Sequence, residues 1–262
     1  MDLHLKGKVA VVGGGSSGIG FAIAQRLVTE GAKVLIWARR ETLLQEAATR
    51  LRAIEGAEVV ICAADIKSPE DNLRVIRAAV AAFGRIDILV NNDGAPPKGA
   101  LLDFDDEAWH QALQQNLMSV VRMSREAVPH LRAAGGGSII NITALSVLQP
   151  VAGFGLSVAS WAGLLGYAKT LSLEIGPDHI TVNTICPGRI DTPLSRRSFT
   201  RVAKGDAEKE AAARAKLDLE TPVRRIGKPE DVADIVSFLV SPLAAFITGT
   251  TIPVDGGRSA AI

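Results

Sequence analysis

The chain predicts an α/β protein: a single domain on a doubly wound, Rossmann-type parallel sheet of about seven strands. Two observations predict it. Short β-branched runs alternate with amphipathic stretches of helical period along the 262 residues, and strand–helix alternation of that kind gives a parallel sheet with helices on both faces. With 47% hydrophobic residues a chain of this length fills one large core.

The elements follow in order. Strands are expected over 9–13 (VAVVG), 34–37 (VLIW), 59–63 (VVICA), 86–91 (IDILVN), 138–142 (SIINI), 181–186 (TVNTIC) and 251–254 (TIPV), each separated from the next by a helical stretch. The first of those helices is expected over 21–30. One segment breaks the alternation: 193–219, rich in Arg, Lys, Ala and Glu. It reads either as a solvated helical flap or as a mobile lid whose Arg196, Arg197 and Arg201 face an anionic group.

Composition limits the partners. The 29 basic and 28 acidic residues leave a net charge of +1 and no footprint for nucleic acid or an anionic membrane. A small molecule or another copy of the chain remains. Residues 133–168 carry no charge, yet Asn141, Gln149, Pro150 and several glycines break them into pieces unsuited to a bilayer. The first eight residues hold His4, Lys6 and Lys8 with no apolar core of signal-peptide length. Cys62 and Cys186 each follow an apolar run and read as reduced core thiols, which fits a cytoplasmic protein. No His, Cys or carboxylate spacing suits a metal.

Ligands of doubly wound sheets sit beyond the carboxyl ends of the strands. After the first strand stands Gly13-Gly14-Gly15-Ser16-Ser17-Gly18-Ile19-Gly20, opening directly into a helix. Glycines let the backbone approach a pyrophosphate, and the helix N-terminus attracts it. About 20 residues beyond such a turn, a carboxylate holds the ribose diol of NAD, whereas a basic residue accommodates the 2′-phosphate of NADP. Here Ala38 is followed by Arg39, a planar fork suited to phosphate, so NADP(H) is expected over NAD(H).

With these residues in view the chain resembles the short-chain dehydrogenase/reductase family, of the classical type, over nearly its whole length. The resemblance rests on Gly14, Gly18 and Gly20, on Asp65 after the third strand, and on Asn91-Asn92-Asp93-Gly94 after the fourth. It continues with Asn116 in a helix, 187–192 (PGRIDT) after the sixth strand and 254–257 (VDGG) near the end. It implies that Asp65 and Asn91 flank the adenine, that Ile190 and Thr192 flank the nicotinamide carboxamide, and that Ser16, Ser17, Ile19, Ile66, Gly94 and Pro187 complete the cofactor surface. It also implies a homo-oligomer, tetramer or dimer, through the helices holding Asn116 and Trp161 and through the seventh-strand region. The family usually has Thr where Gly13 stands and Ala where Asp93 stands. Asp93 is either a replacement acid/base or a partner for neighbouring backbone.

The family's chemistry uses a Ser, a Tyr and a Lys four residues after the Tyr, with an Asn to place a water. Counting back from Glu174 by the family's spacing puts the Lys position at Trp161, the Tyr position at Ser157 and the Ser position at Ala144. Of the four, Asn116 alone is retained, and Asn116 and Ser157 are the candidate catalytic groups. Trp161 is expected against the nicotinamide half of the cofactor. Thr143 and Ser146 bracket the missing Ser and offer hydroxyls. Tyr167 and Lys169, two residues apart, lie on different helix faces and do not substitute; His110, His130 and His179 fall away from strand ends.

Three readings stay open at this point: an NADP(H)-dependent oxidoreductase of carbonyl or hydroxyl compounds with an atypical proton donor, a non-catalytic cofactor-binding or regulatory homologue, or an enzyme with altered lyase or dehydratase chemistry through Asp93. The uncharged loop 145–156 is expected to wall the substrate pocket.

Overall fold

The structure, a computed structural model, describes residues 1–92, 94–202 and 204–260, with the backbone alone at 201 and 202. Seven strands form one parallel sheet: β1 (Val9–Gly13), β2 (Lys33–Ala38), β3 (Val59–Ala63), β4 (Ile88–Asn91), β5 (Gly137–Ile142), β6 (Ile180–Pro187) and β7 (Thr251–Val254). Their order is β3-β2-β1-β4-β5-β6-β7. The chain winds outward from β1 to β3, returns to pair β4 with β1 on the other side, and then winds outward again. The β1/β4 seam is therefore the switch point at which such sheets bind ligands.

Alternation along the strands fills two cores. Val12 and Ile36 point to the face covered by α1 (Gly18–Thr29), α2 (Glu41–Arg52) and α9 (Pro229–Leu239). Val11 and Leu35 point to the face covered by α3 (Pro69–Phe83), α5 (Ser119–Ala133) and α6 (Gly155–Ile175). Burial on both faces is why these strands read as continuous apolar runs rather than alternating ones.

The sequence expectations hold for all seven strands and differ at the edges. The fourth ladder starts two residues later than expected, after Asp87. Asp87 is 2% exposed and takes Val9 N (3.0 Å), Lys8 Nζ (3.1 Å) and the Arg85 guanidinium (2.6 and 2.9 Å). The first helix begins at Gly18 rather than residue 21, with Ser17 as an N-cap whose side chain caps nothing. Between α4 (Asp106–Leu113) and α5 the helix widens into a π-turn over Gln114–Met118, which periodicity did not foretell. The 193–219 segment folds as α7 (Pro193–Val202) and α8 (Ala207–Glu220). Cys62 and Cys186 are free and buried. Among the described residues no helix is long and apolar enough to cross a membrane.

Gly20 marks the tightest packing. A Cβ there would lie 2.6 Å from Gly13 O and would also strike Gly14 O, both backbone atoms that cannot give way cheaply. Gly20→Ala is therefore expected to destabilise the protein by roughly 1–3 kcal/mol, the usual cost of overpacking, which lowers Tm by about 2–4 °C per kcal/mol in a domain of this size. Differential scanning calorimetry beside the exposed control Gly166→Ala, which meets nothing within 4 Å, checks this. Equal Tm changes for the two would contradict it.

Candidate active site

A cleft of about 350 Å³ opens at the carboxyl ends of β1 to β4. Its floor is the β1–α1 turn, with Gly14, Ser16, Ser17, Gly18 and Ile19. One wall carries Trp37, Ala38, Arg39 and Arg40 from the end of β2 and Ala64 to Lys67 from the end of β3. The other carries Asn92, Gly94, Ala95 and Gln115, and α7 closes the rim with Thr192, Pro193, Leu194 and Arg197.

Local bonds fix this shape. Asn92 Nδ2 donates to Gly13 O (3.0 Å), tying the ends of β1 and β4 together. Gln115 Nε2 donates to Gly94 O (2.6 Å), so the π-turn holds the loop that follows β4. Lys67 Nζ donates to Gln111 Oε1 (2.9 Å). Asp65 folds over its own turn, Oδ1 accepting from Lys67 N (3.0 Å).

The electrostatics are one-sided. Arg39, Arg40, Lys67 and Arg197 face Asp65 as the single described carboxylate on the lining. The Arg39 and Arg40 guanidinium groups are exposed and take no hydrogen-bond or ion-pair partner among the described residues. Trp37 Nε1 is buried without an acceptor. The first amides of α1 carry no side-chain cap, and such free N–H groups at a positive dipole end suit an anion.

Of the residues expected from sequence, Gly14, Ser16, Ser17, Gly18, Ile19, Arg39, Asp65, Ile66, Gly94 and Thr192 line this one cleft. Gly20 lies beneath it as packing. The remainder stand elsewhere. Asn91 is 5% exposed and donates to Asn141 Oδ1 (2.9 Å), crosslinking β4 to β5. Pro187 ends β6 opposite Val254, and Ile190 is buried in the first core. Trp161 is 5% exposed and packed in the second core with Leu164. Asp93 lies outside the described residues, as does the Arg201 side chain. Lys67 and Gln115 were missed, because their approach to the cleft depends on how distant elements meet, whereas Arg197, named on the expected lid, stands at the rim, and Arg40, next to Arg39, and Asn92, next to Asn91 in the motif, line the walls.

The second group of expected residues gathers beside β5 and α6. Asn116, in the π-turn, is 1% exposed; its Nδ2 donates to Ser160 Oγ (2.8 Å), and its Oδ1 has no partner among the described residues. Single π-turns of this sort recur at functional positions. Ser157 is 2% exposed on the first turn of α6, and its carbonyl accepts from Ser160 Oγ (3.2 Å). The two hydroxyls that bracket Ala144 differ. Thr143 Oγ1 is spent on Ile185 O (3.2 Å) and Cys186 Sγ (3.1 Å), whereas Ser146 Oγ is buried and unpartnered among the described residues. Burial raises the Tyr167 hydroxyl pKa, and Tyr167 packs on the second core, away from this group. His110 and His179 are exposed.

An apolar hollow of about 360 Å³ lies nearby, walled by Leu101, Trp109, Val151 and Val158 among others. Of the loop expected to wall a pocket, 150–153 and Gly155 reach it. Gly99 N donates to Gly153 O (3.1 Å), and Lys98 Nζ stands 4.3 Å from the Phe154 ring centroid, so the loop after β4 is stitched to the loop before α6.

Residues 14–259 match a family model described as enoyl-(acyl carrier protein) reductase. The chain is 39% identical over 254 residues to dehydrogenase/reductase SDR family member 4 of Pongo abelii, covering 97% of this chain and 88% of the relative. It is 34% identical over 255 residues to a 3-oxoacyl-acyl-carrier-protein reductase of Vibrio cholerae, covering 97% and 98%. Its fold superposes on L-sorbose reductase from Gluconobacter frateurii, a structure complexed with NADPH and L-sorbose, with a TM-score of 0.96, 35% identity and full coverage of both chains. The chain belongs to the short-chain dehydrogenase/reductase family, a family of oxidoreductases.

Asp191, which follows β6, clamps the rim. It takes the Arg196 guanidinium of α7 at 2.8 and 3.0 Å and the Arg214 guanidinium of α8 at 3.3 and 2.9 Å. The two arginines hold its pKa down at about 2. A carboxyl depressed on folding stabilises above its unfolded pKa of about 3.9, and that stability is lost as pH falls through the folded value. Wild type is therefore expected to lose protection of 193–220 against pepsin between about pH 4 and pH 2. In Asp191→Asn that segment is cleaved readily already at pH 4. Identical cleavage profiles for the two proteins would dismiss the clamp.

Proposed function

We propose that the chain is an NADP(H)-binding oxidoreductase that acts on a carbonyl or hydroxyl group of a small molecule through an atypical proton donor. The observation that carries the reading is the cleft at the β1/β4 seam, with an uncapped helix N-terminus at its floor and four cations, two of them unpaired, on its walls. A dinucleotide with three phosphates fits that charge, and the absence of a carboxylate at Ala38 or Arg39 favours the 2′-phosphate. The NADPH-bound relative of known structure supports the same choice.

In this reading Gly14, Ser16, Ser17, Gly18, Ile19 and Gly20 form the pyrophosphate cradle, Arg39 and Arg40 take the 2′-phosphate, and Asp65 and Ile66 border the adenine. Asn91 sets the strand end by its bond to Asn141, while Gly94, Pro187, Ile190 and Thr192 shape the nicotinamide end. When bound, the cofactor supplies or accepts hydride. The segment 193–219 acts as a lid over the site, with Arg197 at the cleft rim, and the chain works as one domain over 1–262. Free Cys62 and Cys186 fit a reducing compartment such as the cytoplasm, and assembly as a homotetramer or homodimer follows from family resemblance.

The proton donor has to be built without Tyr and Lys. Ala144, Ser157 and Trp161 occupy the usual Ser, Tyr and Lys positions, and the buried indole of Trp161 brings no ammonium to lower a neighbour's pKa. Ser146 Oγ is the free hydroxyl for a substrate oxygen, and Asn116 Oδ1 is a free acceptor for a water; with Ser157 they form the polar group from which a proton is delivered. The same substitutions favour a second reading, a cofactor-binding homologue without turnover. A positioned general acid is worth about 10² to 10⁴ in rate, so wild-type reduction of simple ketones is expected to be slow or absent.

Two measurements test these assignments. In fluorescence titrations Arg39→Ala is expected to weaken NADPH by on the order of tenfold and NADH far less, since a charge-assisted phosphate contact is worth about 1.5–3 kcal/mol; equal losses would refute the 2′-phosphate role. In NADPH-consumption assays the triple change Ala144→Ser, Ser157→Tyr, Trp161→Lys is expected to create ketone reduction that no single change creates, because groups acting as a unit are not additive. Robust wild-type turnover undiminished by Ser146→Ala, Ser157→Ala and Asn116→Ala would place the chemistry on other residues.

A further inference from the structure

A second concentration of positive charge stands at the carboxyl ends of β6 and β7, apart from the cofactor cleft. Arg189 follows β6, and Arg258 follows β7 on a turn that Asp255 closes, its carboxylate accepting from Gly257 N (2.9 Å) and Ser259 N (2.7 Å). Gly188 N donates to Val254 O (2.9 Å), and a Cβ on Gly188 would lie 2.7 Å from Asp255 Cβ, so the two arginine-bearing segments are pressed together.

Glu220, at the end of α8, accepts from Arg258 Nη2 at 3.0 Å, and Arg189, whose side chain makes no hydrogen bond or ion pair among the described residues, stands within range of the Glu220 and Arg258 charges. Lys216 adds a further cation on the same helix. Burial, followed by the charge of Arg258, pulls the Arg189 pKa below its ordinary value. Arg258 Nη1 is buried and has no acceptor among the described residues. Arg26 and Arg122 also leave a buried nitrogen unpaired, but Arg26 binds two carboxylates, Glu30 and Asp234, and neither shares a carboxylate with a neighbouring arginine. A buried guanidinium nitrogen without an acceptor, beside a second guanidinium, calls for an oxyanion.

The place is the substrate end of the sheet. Ala260 N donates to Gln149 Oε1 (3.1 Å), which sets the tail carrying Arg258 against the loop that carries Ser146. We propose that Arg189 and Arg258 form an oxyanion site at this end of the protein, taking a carboxylate or phosphate group of the molecule on which the chain acts. This rests on the reading of the chain as an oxidoreductase with its substrate beyond β5 to β7. Planar guanidinium forks suit either group, because both present paired oxygens.

Calorimetric titration of the full chain with malonate, inorganic phosphate and uncharged malonamide tests it, at constant ionic strength and with NADPH saturating, so that phosphate does not report the cofactor cleft. Saturable binding of malonate, phosphate or both is expected, and none of malonamide. Malonate alone assigns a carboxylate, and phosphate alone assigns a phosphoryl group. Arg258→Gln and Arg189→Gln are each expected to weaken binding by about tenfold or more, with the exposed Arg77→Gln unchanged. Arg189→Gln keeps the test decisive should loss of the Glu220 bridge unfold the tail. No saturable oxyanion binding by wild type, or unchanged affinity in Arg189→Gln, would overturn the proposal. Should NADPH fail to bind, the same titrations without it score the oxyanion site separately from the cofactor reading.

Discussion

The carboxyl end of the sheet depends on backbone meeting backbone at the β1/β4 seam. Gly20 of α1 lies against the carbonyls of Gly13 and Gly14, and a Cβ on Gly13 would fall 2.7 Å from Asn92 O. Side chains at these positions would wedge β1, α1 and β4 apart. Because they are absent, α1 starts hard against the end of β1 with its first amides open, and Asn92 Nδ2 reaches Gly13 O to lock the seam. The cleft is the space that this packing leaves in front of an uncapped helix.

Charge then divides the rim by function. Asp191 pairs with Arg196 and Arg214 and so anchors α7 and α8, while Arg197, one residue further along α7, lines the cleft and among the described residues bonds only the backbone carbonyl of Pro193 (3.1 Å). Arg39 and Arg40 approach from β2 without partners. Cations left unpaired beside an open helix N-terminus are unfavourable in isolation and become favourable when an anion fills the cleft. Beside β5 and α6 the polar groups are few and buried: the Ser146 hydroxyl and the Asn116 carbonyl oxygen both lack partners among the described residues, and the Trp161 indole packs in the second core.

The strands were legible because burial on both faces imposes runs such as VAVVG and VVICA, and the glycine turn because only glycine fits its contacts. Legibility stopped where tertiary contacts decide. Nothing local announces that Asp87 holds the start of β4, that the helix widens over Gln114–Met118, or that Lys67 and Gln115 converge on one cleft. Thr143 and Ser146 were equivalent in the sequence and became distinct when Thr143 was found bonded to β6. Asn91 is a cofactor residue by motif, and its amide also crosslinks β4 to β5, a role that no local pattern announces. The positions of Ala144, Ser157 and Trp161 were reached through family spacing, since no periodicity distinguishes an absent acid from an ordinary apolar residue.

Hydrogen–deuterium exchange with and without NADPH tests most directly whether the β1/β4 cleft holds NADP(H), as proposed. Slowed exchange is expected in the amides of 14–20, 37–40, 64–67 and 192–197, with the apolar hollow at 150–159 unaffected by the cofactor. Protection confined to other segments, or none at saturating NADPH, would contradict it.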